Sequence, residues 1–193
     1  MKKYVFSLLI LAAASISTKA QVNLGVKAGV NFSKINTDNL NESTKTGYQA
    51  GIFARFGSAL YLQPELYLSS TGGKFSGNNS TGNYNADVKF TNLNVPLLIG
   101  HSFGGESLNF RVMAGPIYTY VLDKNENLSA NLGPAYADFG NYKNSTIGYQ
   151  AGAGVDIGAI TADLRYEGNL TKISDSYGQR QNLWALSVGF KFF

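Results

Sequence analysis

From Val22 to Phe32 the chain places apolar residues at even-numbered positions and polar residues, lysine or glycine between them. Successive side chains of a β-strand point to opposite faces, so this period of two predicts a strand with one apolar face. The same alternation recurs in seven later segments, and the sequence therefore predicts eight strands. The eight apolar sets begin at Val22, Tyr48, Leu60, Leu93, Leu108, Ile147, Ile160 and Trp184.

The connections between these segments alternate in length. An even number of strands, with short turns at one end and long loops at the other, is typical of bacterial outer-membrane barrels. The sequence therefore predicts an all-β fold, an eight-stranded antiparallel up-and-down transmembrane β-barrel. The predicted long loops are Ser33–Gly47, Ser70–Asp87, Asp123–Ser145 and Thr171–Gln181, and the short turns are Gly57–Ala59, Ser102–Ser107 and Gly158–Ala159.

Aromatic residues on the apolar face cluster at the ends of the predicted strands. Such belts are typical of the two interfaces of a membrane, which favours an apolar face turned to lipid. The alternative is a soluble periplasmic, lipocalin-like ligand-binding barrel with its apolar face inside. The belt toward the long loops contains Phe32, Tyr48, Tyr118, Tyr120, Tyr149, Tyr166 and Trp184; the belt toward the short turns contains Phe56, Phe110, Phe190 and Phe192.

Charged side chains lie on the opposite face of the strands. Eight strands enclose a space just wide enough for side chains, and an unpaired buried charge is costly. We therefore expect these groups to neutralise one another and to plug the barrel; a narrow channel or transport-associated barrel is the alternative. The predicted interior network contains Lys27, Arg55, Glu65, Arg111, Asp156, Asp163, Arg165, Glu167 and Lys191.

The first twenty residues have the three parts of a secretory signal. Two lysines precede the apolar run Tyr4–Ala14, and Thr18-Lys19-Ala20 provides small residues for a signal peptidase. The apolar run is too short for a transmembrane helix, which takes about 20 residues. We predict a cleaved Sec signal peptide at residues 1–20 and an outer-membrane barrel domain at residues 21–193.

Removal of this signal changes the charge balance of the chain. Three of its 16 basic residues leave with the signal, so 13 remain against 12 acidic residues and the net charge falls from +4 to +1. A nucleic-acid partner therefore has little electrostatic support. The chain has no cysteine, which excludes disulfides and a lipid-anchored cysteine.

No catalytic, cofactor-binding or metal site is predicted. His101 is the only histidine, so a histidine cluster for a metal is impossible. His101 and Ser102 are a formal base and nucleophile, but they fall at the short-turn end, away from the outer leaflet and exterior where barrel enzymes act. We therefore predict a protein that is not an enzyme.

Several short motifs follow one another in order along almost the whole predicted mature chain. Together they resemble the PorT-like outer-membrane β-barrel family. The motifs are Gly25–Ser33, Tyr48–Gly51, Leu62–Leu66, Leu93–Leu98, Ala114–Pro116, Asp163–Tyr166 and Gly189–Phe193.

This resemblance implies an integral protein in the outer membrane of a Gram-negative bacterium, in contact with lipid. The terminal aromatics also resemble the signal read by the outer-membrane assembly machinery, although Phe192 and not Phe193 completes the apolar set. The resemblance implies no single activity. The sequence favours a barrel that acts structurally or through its long external loops on a protein partner.

Overall fold

In a computed structural model of the chain, the described residues form nine β-strands. The structure describes residues 22–36, 41–79, 82–105, 107–128, 144–171 and 180–192. The predicted signal peptide lies outside the described residues. The strands are β1 (Val22–Asn36), β2 (Asn41–Ser43), β3 (Lys45–Gly57), β4 (Leu60–Asn79), β5 (Gly82–Gly104), β6 (Leu108–Leu128), β7 (Ser145–Ile157), β8 (Ile160–Asn169) and β9 (Arg180–Lys191).

Eight of these strands form a closed wall. Each of β3 to β8 pairs antiparallel with the next strand in the chain, and β9 returns to pair with β1, with Val26 opposite Phe190. β1 pairs in turn with β3, which completes the ring. A closed ring leaves no unpaired strand edge, the condition for a β-structure surrounded by lipid. The prediction of an eight-stranded antiparallel barrel is confirmed.

The short strand β2 stands outside this wall. It pairs only with the far end of β4, where Ser43 lies opposite Lys74 and Asn41 opposite Ser76. The pairing of β4 with β5 also continues at this end, from Leu68 opposite Leu93 to Asn79 opposite Gly82. The β4–β5 hairpin therefore extends well past Leu68, the last residue of the regular apolar alternation in β4.

The prediction that Ser70–Asp87 is a loop is wrong, because almost the whole segment is strand. Strand structure also extends into the other three predicted loops: β1 reaches Asn36, β6 reaches Leu128 and β9 begins at Arg180. Above the membrane both faces of a strand meet water, so the hydrophobic period disappears while backbone pairing continues. A composition of Asn, Ser, Thr and Gly then looks like a loop although the backbone is extended. Residues 129–143 and 172–179 lie outside the described residues.

The three short turns lie where the sequence predicts them. Gly57, Gly104 and Gly158 have φ angles of 119°, 127° and 57°, one at each turn. Residues with a side chain rarely adopt these values, so glycine permits the chain to reverse within a few residues. All three turns lie at the same end of the barrel.

The two faces of the wall differ sharply in character. Large apolar side chains cover the outside, as Ile52, Leu164 and Val188 illustrate with exposures of 51–56%. Most buried side chains are polar or charged. A soluble protein rarely exposes an apolar surface of this extent, and the soluble lipocalin-like alternative, with an apolar lumen and charges outside, is therefore wrong. The described residues include no helix of a length and hydropathy suited to crossing a membrane.

Candidate functional site: the barrel interior

The nine charged residues of the predicted interior network all project to the inside of the wall. Eight of them are at most 7% exposed, and the side chain of Lys191 is 15% exposed at the short-turn end. They come from every wall strand except β5. Their spacing along the barrel axis makes it possible to follow the contacts from one end to the other.

Glu65 holds two cations near the middle of the barrel. Its carboxylate accepts two parallel hydrogen bonds from Arg165, Nη1 to Oε2 and Nη2 to Oε1, both 2.8 Å long. Lys27 pairs with Oε2 of the same carboxylate, and Gln63 donates Nε2 to Oε1 at 2.5 Å. The two-pronged arginine pairing is the geometry that best fits a guanidinium to a carboxylate.

Asp163 connects this group to the next layer. Its Oδ2 lies 2.7 Å from Nη2 of Arg165, and its Oδ1 lies 2.7 Å from Nη2 of Arg111. Arg111 also donates to the hydroxyl of Thr161 and approaches Oδ1 of Asp156 with Nε at 2.9 Å. One carboxylate and one guanidinium thus carry the contacts across the lumen.

Asp156 collects three cations toward the short-turn end. Besides Arg111, its carboxylate contacts Nη1 of Arg55 at 2.7 Å and Nζ of Lys191 at 3.2 Å, both through Oδ2. The contacts are continuous from β1 to β9, and we call these eight residues the ion-pair network. They are Lys27, Arg55, Glu65, Arg111, Asp156, Asp163, Arg165 and Lys191.

Glu167 is the one predicted member that the structure does not bring into this network. Its Oε2 accepts hydrogen bonds from Nε2 of Gln150 at 2.8 Å and from the Tyr67 hydroxyl at 3.3 Å. None of the described residues forms an ion pair with it. Glu167 lies four residues after Asp163 on the inner face of β8, toward the long-loop end. The described residues therefore give this interior carboxylate only neutral hydrogen-bond donors.

Aromatic and aliphatic side chains fill the space around the charges, and the sequence analysis missed them. The Arg55 guanidinium lies 5.0 Å from the ring centroid of Tyr61 and 5.7 Å from that of Phe53, and Nζ of Lys27 lies 4.2 Å from that of Tyr67. Cations over aromatic faces are stabilised by the ring quadrupole. Their inward position could have been predicted, because these rings alternate along their strands with the outward apolar residues.

Glycines make room for the ion pairs. A Cβ on Gly154 would lie 2.1 Å from Oδ1 of Asp163, and one on Gly152 would lie 2.8 Å from Cγ of Arg165. Glycines in a strand often mark such a close approach. These two glycines therefore relieve crowding in a narrow barrel.

All eleven predicted belt aromatics lie on the outer face; Tyr166 is half-buried and the others are exposed. Tyr166 packs edge-on against Trp184 with ring centroids 5.2 Å apart, and Phe190 packs against Phe192 at 5.8 Å. Phe103, opposite Phe110 at the short-turn end, is a further exposed ring that the sequence analysis did not include.

The sequence matches a known family over most of its length. The family, described as "Outer membrane protein beta-barrel domain", aligns with residues 13–175, more than four fifths of the chain. The chain belongs to this family. It is accordingly an integral β-barrel protein of the Gram-negative outer membrane, which confirms the predicted location.

Solved structures of outer-membrane barrels share the fold. The attachment invasion locus protein Ail of Yersinia pestis aligns with a TM-score of 0.52 and 13% identity, over 89% of this chain and 99% of Ail. Neisserial surface protein A gives 0.49 and 15% over 89% and 99%, and the outer membrane enzyme PagL gives 0.46 and 12% over 84% and 98%. At 13% identity the likeness to Ail shows the fold and says nothing of activity. No curated protein matches the sequence.

In this outer-membrane barrel the only histidine faces away from the lumen. His101 is exposed on the outer face, with its ring centroid 4.5 Å from that of Phe103, whereas Ser102 points to the opposite face. Neighbouring strand residues on opposite faces cannot act as base and nucleophile on one substrate. Among the described residues, no three His, Asp or Glu side chains are grouped as a metal site would require.

Proposed function

We propose that this protein is a non-enzymatic outer-membrane barrel with a charge-plugged interior, which acts structurally or through its external loops on a protein partner. The observation that carries the proposal is the ion-pair network, which crosses the lumen and draws on seven of the eight wall strands. Eight strands leave little space beyond their own side chains. An ion that passes through would have to separate paired charges in a dry interior, which is costly.

Conductance in a planar bilayer tests the plug. We expect purified wild-type protein to be electrically silent, and we expect Glu65→Gln to produce openings because two cations lose their shared carboxylate. Lys89→Gln, which removes an exposed charge outside the network, is the matched control and should stay silent. A stable wild-type conductance would instead favour the narrow channel.

The extended β4–β5 hairpin supports action at the external side. Seven residue pairs, from Gly73 opposite Val88 to Asn79 opposite Gly82, add roughly 20 Å of paired strand. Outer-membrane barrels carry their long connections on the outside of the cell, and exposed loops on a rigid scaffold are common binding elements. This hairpin is therefore the part of the described chain best placed to reach a partner.

A shortened hairpin tests this role. Replacing residues 75–86 by Asn-Gly keeps Lys74 opposite Asp87 and closes the hairpin with a favoured two-residue turn. The change in gel migration on boiling verifies that the variant still folds. The variant is then expressed in a strain that lacks the protein, and survival in detergent is compared with that given by the wild-type chain. We expect the folded variant not to restore wild-type survival. Full restoration by a chain with every external loop trimmed would exclude the partner role.

Four finer assignments belong to the same proposal. We assign residues 1–20 to a cleaved signal peptide, and residues 21–193 to the barrel domain. The outward, 55% exposed Phe192 supports recognition of β9 by the outer-membrane assembly machinery. The ordered motifs support a PorT-like member, and the two aromatic belts mark the membrane interfaces.

A further inference from the structure

An open, polar cavity lies at the short-turn end of the barrel, on the side that faces the periplasm in this class of protein. Its volume is about 670 Å³, in the range of small-molecule sites. Turn residues such as Ser58 and Gly158 form its walls, and Arg55, Asp156 and Lys191 line it toward the ion-pair network. We call this cavity the periplasmic vestibule.

Positive charge is in excess beside the vestibule. The ion-pair network contains five cations and three carboxylates, and three of those cations meet at Asp156. Asp163 offsets part of the charge of Arg111, while Glu167 lies toward the opposite end of the barrel. Among the described residues, the carboxylate of Asp156 alone therefore faces both Arg55 and Lys191 at the vestibule.

The Arg55 guanidinium also has one nitrogen without a hydrogen-bond acceptor among the described residues. Its Nε donates to Oε1 of Gln63 at 2.7 Å and its Nη1 to Asp156, but its Nη2 has no hydrogen-bond partner in the described part of the chain. Arg55 is only 4% exposed, so water gives this nitrogen little compensation. Nη1 of Arg111 and Nε of Arg165 also lack a partner among the described residues, but neither of these arginines lines the cavity. Buried arginine nitrogens are normally paired, and the unpaired one of Arg55, beside an open cavity, points to a missing acceptor.

We propose that the periplasmic vestibule binds a small oxyanion, a phosphate or a carboxylate, between Arg55 and Lys191. The guanidinium presents a donor of fixed direction, and the lysine ammonium, 15% exposed at the rim, adds a mobile charge. The walls offer small polar residues and few apolar side chains, which suits a compact charged group. This site is independent of whether the barrel conducts, since binding is measured without a membrane potential.

Calorimetric titration of inorganic phosphate into protein purified from outer membranes in a neutral detergent tests the site. We expect saturable binding that Lys191→Gln weakens by at least tenfold. Lys89→Gln removes the same charge near the opposite end of the barrel and should change the affinity by less than twofold. Asn109→Asp, which adds a negative charge to the lining, is a second variant for the case that Lys191→Gln does not fold, and it should also weaken binding.

A second titration, with acetate and with a tetraglutamate peptide, distinguishes a free anion from a carboxylate that belongs to a larger molecule. Binding of phosphate or acetate as tight as that of the peptide supports a free anion. Tighter binding of the peptide supports a carboxylate carried by a larger periplasmic molecule. Absence of saturable binding for all three ligands, equal weakening by Lys191→Gln and Lys89→Gln, or equal competition by chloride would overturn the proposal.

Discussion

The outer and inner faces of the same strands meet different requirements. On β8, Leu164 is 51% exposed on the outer face, whereas its neighbour Arg165 is 1% exposed and holds two carboxylates. Lipid accepts any apolar side chain at the outer position, so this face is defined by composition. The inner face is defined by particular partners at particular distances. Substitutions should therefore have graded, position-dependent effects outside and partner-dependent effects inside.

The largest effect is expected at Arg165. Its change to Gln leaves Asp163 and Glu65 without their strongest partner, and breaking a buried ion pair costs about 3–5 kcal/mol. The free energy of unfolding in guanidinium, followed by the fluorescence of Trp184, measures the loss. Leu164→Val is the control on the outer face and should cost less than about 1 kcal/mol. Equal losses of unfolding free energy for both variants would mean that the inner face does not depend on its particular ion-pair partners.

A somewhat smaller effect is expected for a charge on the outer face. Val188 lies midway between Trp184 of β9 and Phe192, which directly follows β9, so Val188→Arg places a cation near the centre of the bilayer. Such a change costs about 2–4 kcal/mol in an outer-membrane barrel. The same unfolding measurement in lipid vesicles checks it, with Val188→Leu as the neutral control. An unchanged stability would show that this face does not contact lipid.

Overpacking of the inner face should rank third. Gly154→Ala places a methyl group 2.1 Å from Oδ1 of Asp163, and inserting an atom into a packed interior costs about 1–3 kcal/mol. Ala153→Val adds more volume to the adjacent residue, but on the outer face, where there is space. We expect only the glycine variant to lower the unfolding midpoint. A larger loss for Ala153→Val would reverse the comparison of the two faces.

The smallest effect is expected at Glu167. Glu167→Gln keeps an oxygen acceptor for Gln150 and Tyr67 and leaves no cation of the described residues unpaired, so the loss should stay within about 1 kcal/mol. Glu65→Gln is the matched change inside the ion-pair network and should cost several times as much, since Lys27 and Arg165 both lose a charged partner. The ratio of the two losses separates ion pairing from hydrogen bonding.

The same difference decides what the sequence predicts. The outward residues can be predicted because lipid requires an apolar side chain at every second position of each strand. The number of strands, the positions of the turns and the face that each residue occupies follow from this alternation. The charged inward residues are readable as a class for the same reason. Their pairing is not: Glu65 and Arg165 lie 100 positions apart in the sequence, and only the register of the closed wall brings them together.

Three further features cannot be predicted from the hydrophobic pattern, for physical reasons. The inward rings of Phe53, Tyr61 and Tyr67 occupy positions at which the other inward residues are polar. Where apolar residues occupy both faces of a strand, the hydrophobic pattern alone does not show which face is inside. In the outer part of the β4–β5 hairpin the backbone pairing continues without a hydrophobic alternation in the sequence. The unpaired nitrogen of Arg55 depends on distances alone.

The ion-pair network has a consequence for assembly. Glu65 of β4 pairs with Arg165 of β8, and Arg55 of β3 pairs with Asp156 of β7, so both pairs join strands on opposite sides of the lumen. A chain that has not joined β9 to β1 leaves part of this charge without compensation as it enters the membrane. Completion of the network thus coincides with closure of the seam, so a half-assembled chain is penalised electrostatically and insertion is driven toward the finished cylinder.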